Sequence, residues 1–210
     1  MVYYKTPEQI ISTILKHDRK INSYKIALLR SLNDIVYSFP DVADSKKPIA
    51  VPLRFLAEFW LAYYWPFVRK QNPIYQGPRS KRGNQIRNDM AFREMMSELH
   101  HQWTQILTVD TNPSDGFYLR SEFRIPRRKK DFPANFQSKY DLVIKSISNS
   151  IKMPVRYAGT GEWEIFNKPI KLSNMLDVQP LPGSHPQDLC LHPQDDPSVI
   201  IFGYIACYNH

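Results

Sequence analysis

Ile49–Val68 reads IAVPLRFLAEFWLAYYWPFV, an apolar stretch that admits two opposite readings. Its length is close to the roughly 20 residues that a bilayer span demands. Arg54 and Glu58, however, would each cost about 2.5–3.5 kcal/mol near the centre of a span. Pro52 and Pro66 bracket the helix. The stretch therefore predicts a buried core helix from about Leu53 to Tyr64, with Pro52 supplying the preset backbone angle at its start. Attachment to a membrane surface through the aromatic face is the lesser alternative.

Working outward, the flanking sequence also carries mainly helical signals. Thr6-Pro7-Glu8-Gln9 is a capping box with proline at the first helical position, followed by Ile10, Ile11, Ile14 and Leu15 on one face. Tyr24, Ala27, Leu28, Leu32 and Ile35 recur at three and four, which predicts a helix from Ser23 that Pro40 closes. A fourth helix follows Asn88-Asp89, with Phe92, Met95, Met96, Leu99, Trp103 and Ile106 as its apolar stripe. A fifth runs from about Ala134 to Ser150, marked by Phe136, Tyr140, Val143, Ile144 and Ile147. After residue 152 the pattern changes. Pro154–Tyr157 and Trp163–Phe166 flank Ala158-Gly159-Thr160-Gly161-Glu162, which reads as a β-hairpin with a glycine-bearing loop. The expected fold class is mainly α, about five helices with a small C-terminal β-hairpin, α+β overall. The expected divisions are a helical domain over 1–152 with a basic middle stretch, a β or irregular element over 153–191, and an atypical tail over 192–210.

Composition bounds the partners. The chain has 210 residues, 42% hydrophobic and 23% charged, which excludes a disordered tail or a collagen-like repeat. Two cysteines cannot make a disulfide framework, so a reducing, cytoplasmic compartment is expected. The formal charge is +8, and residues 69–130 alone hold 13 basic against 6 acidic groups. A concentrated positive stretch attracts polyanions, nucleic acid before an anionic membrane. Arg79, Lys81, Arg82 and Arg87, with Asn84 and Gln85 between them, are joined by Arg127-Arg128-Lys129-Lys130. Both runs lie outside the predicted helices and beside Tyr75, Tyr118 and Phe132. Such residues contact phosphates, reach base edges and stack on exposed bases. These eight cations are the candidate DNA-binding residues, with a solvated loop as the alternative.

Three constellations invite chemistry. Glu94, Glu98 and His101 share one helix face, but a di-iron bundle needs a second such helix, and none is read here. Asp115 followed by Glu122-Phe123-Arg124 faintly echoes an Asp…Glu-x-Lys nuclease site that would hold Mg²⁺; Arg124 stays charged and cannot serve as base. Cys190, His192, Cys207 and His210 have the chemistry of a zinc site but poor pair spacing. No catalytic residue, metal ligand or cofactor is therefore assigned.

Asn22–Leu32, Ile49-Ala50-Val51-Pro52, Tyr64-Trp65-Pro66, Pro73–Gly77, Pro154–Gly159, Trp163–Phe166 and Asp188–Leu191 resemble the N-terminal region of bacterial HNH endonucleases. The resemblance covers roughly residues 3–191. It implies a helical recognition region that precedes a ββα-metal nuclease module, and with it a role in defence against foreign DNA. The module's histidines are not read in this chain, so any divalent metal belongs to that missing module. Residues 192–210 do not read like the family's continuation, as in a truncated, frame-shifted or naturally short form. The chain alone is expected to bind DNA without cutting it. A protein-interaction module, an inactive remnant and the Asp…Glu-x-Arg nuclease stay open as alternatives.

Overall fold

A computed structural model describes residues 7–17, 23–40, 49–76, 81–82, 85–86, 89–107, 111–159, 161–166, 168, 170–171, 179–180 and 198–202. These residues are mainly helical: α1 (Pro7–His17), α2 (Tyr24–Ser38), α3 (Leu53–Tyr64), α4 (Arg93–Ile106), α5 (Asp115–Phe123), α6 (Pro126–Lys129) and α7 (Ala134–Arg156). The strands are short, β1 (Ile49–Pro52), β2 (Lys81–Arg82), β3 (Gln85–Ile86), β4 (Ile170–Lys171), β5 (Gln179–Pro180) and β6 (Ser198–Phe202). β1 pairs antiparallel with β6, Ile49 opposite Phe202 and Pro52 opposite Val199. β4 lies on the far side of β6 and β5 runs parallel to β1, in the order β4-β6-β1-β5.

The apolar stretch Ile49–Val68 supplies α3, which is buried on nearly every side. Leu53, Leu56, Ala57, Trp60 and Leu61 are inaccessible, and Glu58 is only 3% exposed. A helix apolar all round belongs in a core. No described helix is long and apolar enough to cross a membrane. Pro66 ends α3 by turning Trp65–Val68 into a 3-10 turn.

The chain divides into two units, Met1–Leu56 with Ile151–His210, and Ala57–Ser150. In the first, α2 buries Tyr24, Ala27, Leu28, Ser31 and Ile35. Ser31 takes a core position because its Oγ donates to the Leu28 carbonyl at 2.9 Å, while the predicted Leu32 is only half-buried. Phe39 meets Phe55 edge-on at 6.0 Å. Thr6 of the capping box lies outside the described residues.

The predicted hairpin does not form. Pro154, Val155 and Arg156 complete α7, and Trp163–Phe166 is irregular. The cause is periodicity: Ile147, Ile151, Val155 and Ala158 continue the buried stripe at spacings of four, four and three. That stripe outweighs both the β-branched residues and Pro154, which removes one backbone donor from the ladder. Gly159, at a φ of 104°, then turns the chain out of the helix. Arg156 closes the loop onto Glu162 at 2.7 Å, and Trp163 N–H donates to the Arg156 carbonyl at 2.7 Å.

The second unit is built on aromatic rings. Phe123 stacks on Tyr140 with centroids 3.9 Å apart, and Trp103 stacks on Phe136 at 5.9 Å. Trp60, Tyr64 and Phe92 form a second group with centroid separations of 5.3–6.5 Å. Pairs of this kind contribute about 0.5–1.5 kcal/mol each beyond their burial. Arg120 lays its guanidinium 3.7 Å from the Phe59 ring centroid, in the field of Glu58. Gly116 lets α5 approach α3 closely, since a Cβ there would meet the Trp65 Cβ at 2.7 Å and the Ala62 Cα at 2.8 Å.

Helices α5 and α6 are absent from the sequence reading. The buried face of α5 is Gly116, Leu119 and Phe123, and a glycine adds nothing to an apolar pattern. Arg127, Arg128 and Lys129, expected in a loop, form one helical turn behind Pro126. Proline at that position has its backbone angle preset for a helix start.

Candidate nucleic-acid interface

The two predicted basic runs fare differently. Arg79 and Arg87 lie outside the described residues. Lys81 and Arg82 form β2, which pairs with Gln85 and Ile86 of β3 in an antiparallel ribbon. In the second run, α6 holds Arg127, Arg128 and Lys129, with Lys130 as its C-cap. Arg128 Nη1 donates to Glu122 Oε1 at 2.8 Å, and Lys129 Nζ to Asp141 Oδ2 at 2.8 Å. Lys129 also lies 5.7 Å from the Phe123 ring centroid, so it is half-buried against the aromatic core. Arg127 and Lys130 are exposed and form no ion pair among the described residues. Tyr118 is 51% exposed on α5, its ring 6.0 Å from Trp103. The run of four cations thus presents Arg127, Lys130 and the partly engaged Arg128 to solvent.

A second basic region was not singled out from sequence. The chain after the 3-10 turn makes a closed loop: Ile74 N–H donates to the Phe67 carbonyl at 3.1 Å. Arg93, at the start of α4, braces that loop. Its Nη1 donates to the Phe67 carbonyl at 2.8 Å and its Nη2 to the Ile74 carbonyl at 2.5 Å, while its Nε pairs with Asp89. Its guanidinium carbon also stands 4.9 Å from the Tyr75 ring centroid. The braced loop sets Arg69, Lys70, Gln71 and Asn72 across from His100, His101 and Thr104 of α4, with Thr111 beside them, around a cavity of about 520 Å³. No Asp or Glu is among its described lining residues.

The histidines differ. Lys70 Nζ is 3.2 Å from His101 Nδ1; an ammonium only donates, so Nδ1 accepts in this contact. His100 is 5% exposed, and Trp65 covers it with ring centroids 5.0 Å apart. Burial, then the charge of Arg69, holds its pKa below the ordinary histidine range, against the pull of Asp115. Neither its Nε2 nor the buried Nε of Arg69 has a hydrogen-bond partner among the described residues.

Residues 5–187 match a domain family described as a domain of unknown function, DUF8808. The chain belongs to the DUF8808 family. No curated protein and no solved structure matches it.

The two constellations considered for catalysis that fall on described residues of this DUF8808 chain are dispersed or already engaged. Asp115 and Glu122 share α5, where seven residues separate them by about 10 Å along the axis. Asp115 Oδ2 accepts from Trp103 Nε1 and from the Asn112 backbone N–H, each at 2.9 Å, which ties the start of α5 to α4. Glu122 accepts from Arg128. On α4, Glu98 pairs with Lys139, while His101 turns to Lys70. Cys190, His192, Cys207 and His210 lie outside the described residues. What sequence reading missed in the DUF8808 domain is the Arg69-Lys70 and His100-His101 pair of dipeptides. Their signal was the polar His100 at a core position of α4, four residues after Met96, which a purely apolar stripe passes over.

Proposed function

We propose that the chain is a nucleic-acid-binding, DNA-recognising domain whose second unit contacts the phosphate backbone. The observation that carries this reading is α6, which presents Arg127, Arg128 and Lys130 to solvent within one turn. The excess of seven positive charges over residues 69–130 supports it, because such a stretch attracts a polyanion at long range. Tyr118, exposed on the preceding helix, adds a surface on which a base stacks. The resemblance to the region preceding the nuclease in HNH endonucleases makes duplex DNA the first ligand to try, with recognition and cleavage divided along such proteins.

The test is fluorescence anisotropy of a labelled duplex with the full chain at low salt. Binding is expected, and replacing Arg127, Arg128, Lys129 and Lys130 with Ala weakens it and flattens its salt dependence. An anisotropy that stays flat at low salt refutes the reading.

A further inference from the structure

We propose that the cavity between the 69–72 loop and α4 binds a terminal phosphate group, carried by inorganic phosphate, a mononucleotide or the 5′ end of a strand. Four observations converge on it. Arg69 and Lys70 line the cavity, and no carboxylate is among its described lining residues. Anions are therefore attracted and cations repelled. His100, only 5% exposed, leaves Nε2 without a partner among the described residues, as does Arg69 with Nε. Buried polar atoms in that state call for a partner that the described residues do not supply, such as an ordered water or an ion. Lys70 spends one ammonium proton on His101 Nδ1 at 3.2 Å and keeps two further donors for an incoming oxyanion. The loop is held in place by Arg93 from outside the cavity, so the cationic wall is preorganised.

Size favours more than a bare ion. About 520 Å³ lies within the roughly 300–1,000 Å³ of small-molecule sites. Gln71, Asn72 and Thr104 supply neutral donors and acceptors around the charged end. That composition suits a phosphate attached to a polar body such as a nucleoside. The site is separate from α6, so it stands or falls independently of the duplex reading.

The test is calorimetric titration of the full chain, at constant ionic strength set with chloride, with inorganic phosphate, adenosine monophosphate, adenosine, and a trinucleotide with or without a 5′-phosphate. The phosphorylated compounds are expected to bind at least about tenfold more tightly than their unphosphorylated counterparts, the scale of a charge-assisted contact. Equal affinity for phosphate and the monophosphate identifies free phosphate as the sufficient source; tighter binding of the monophosphate or the phosphorylated strand identifies the larger one. Lys70→Gln and Arg69→Gln each weaken adenosine monophosphate about tenfold. Thr104→Glu places a carboxylate at an exposed rim position without touching the core, and abolishes binding. Lys145→Gln, at an exposed position of α7, leaves binding unchanged. Adenosine binding as well as its monophosphate, or undiminished binding in a folded Thr104→Glu or Lys70→Gln protein, overturns the proposal.

Discussion

Helix α6 and the 69–72 cavity hold comparable numbers of basic side chains and use them in opposite ways. On α6 four cations follow one another in sequence, yet Glu122 and Asp141 engage two of them. Around the cavity, Arg69 and Lys70 meet two histidines some thirty residues away, and none of the four pairs with a carboxylate in the described structure. Density of charge along the chain therefore differs from availability of charge in space. The run makes an outer surface suited to a repetitive backbone, and the convergent set lines a half-open cavity suited to one anionic group.

The aromatic support beneath α6 gives the largest effect by which this contrast can be broken. Phe123→Ala removes the ring stacked on Tyr140 and placed beneath Lys129. It should lower stability by about 3–5 kcal/mol, read as a lower urea midpoint. Duplex binding should fall with it as α6 loses its seat. Next is the brace of the cavity loop. Arg93→Met deletes the hydrogen bonds to the Phe67 and Ile74 carbonyls, for a loss of about 1.5–3 kcal/mol. It should weaken adenosine monophosphate more than duplex DNA, and equal weakening would erase the distinction between the regions.

The third effect is a slope. His100 faces Arg69, Lys70, His101 and Asp115, and its pKa is lowered by burial in the folded chain. Below the ordinary histidine pKa of about 6.5 the unfolded chain binds a proton that the folded chain refuses. Its contribution to stability is thus present above that pH and is lost as the pH falls toward the folded value. Denaturation across that window should show the decline, and His100→Phe should flatten it. An unchanged slope would mean that His100 is not the group responsible. The smallest effect tests the ion-paired side. Glu122→Gln should cost no more than about 1 kcal/mol, because Arg128 is exposed, and should raise duplex affinity by releasing its charge. Lower affinity would mean that the pair orients Arg128 for binding.

The same contrast explains what was legible in the sequence. The α3 stretch declared itself, because two charges and two prolines exclude a span and leave burial as the alternative. On α4 the stripe was largely right: Phe92, Met96, Leu99 and Trp103 are buried, whereas Met95 and Ile106 face out and His100 takes a core place. A period of 3.6 finds apolar faces but cannot assign a polar residue to one. The hairpin reading failed because Pro154 and Val155 carry local signals for a strand, while Ile147, Ile151, Val155 and Ala158 carry a longer helical one. The basic run at 127–130 was visible because its members are adjacent. The cavity was invisible because tertiary packing alone brings Arg69 and Lys70 to His100 and His101, through an arginine brace that no local pattern announces.

The most direct measurement of the division between the two regions compares two double variants on two ligands. Arg127→Gln with Lys130→Gln should reduce the slope of log affinity for duplex DNA against log salt by about 0.9 for each phosphate that no longer meets a cation, and leave adenosine monophosphate binding intact. Arg69→Gln with Lys70→Gln should do the reverse, abolishing adenosine monophosphate binding while the duplex slope changes little. If both variants weaken both ligands to the same extent, α6 and the cavity form one undifferentiated basic surface, and the division of labour between them is wrong.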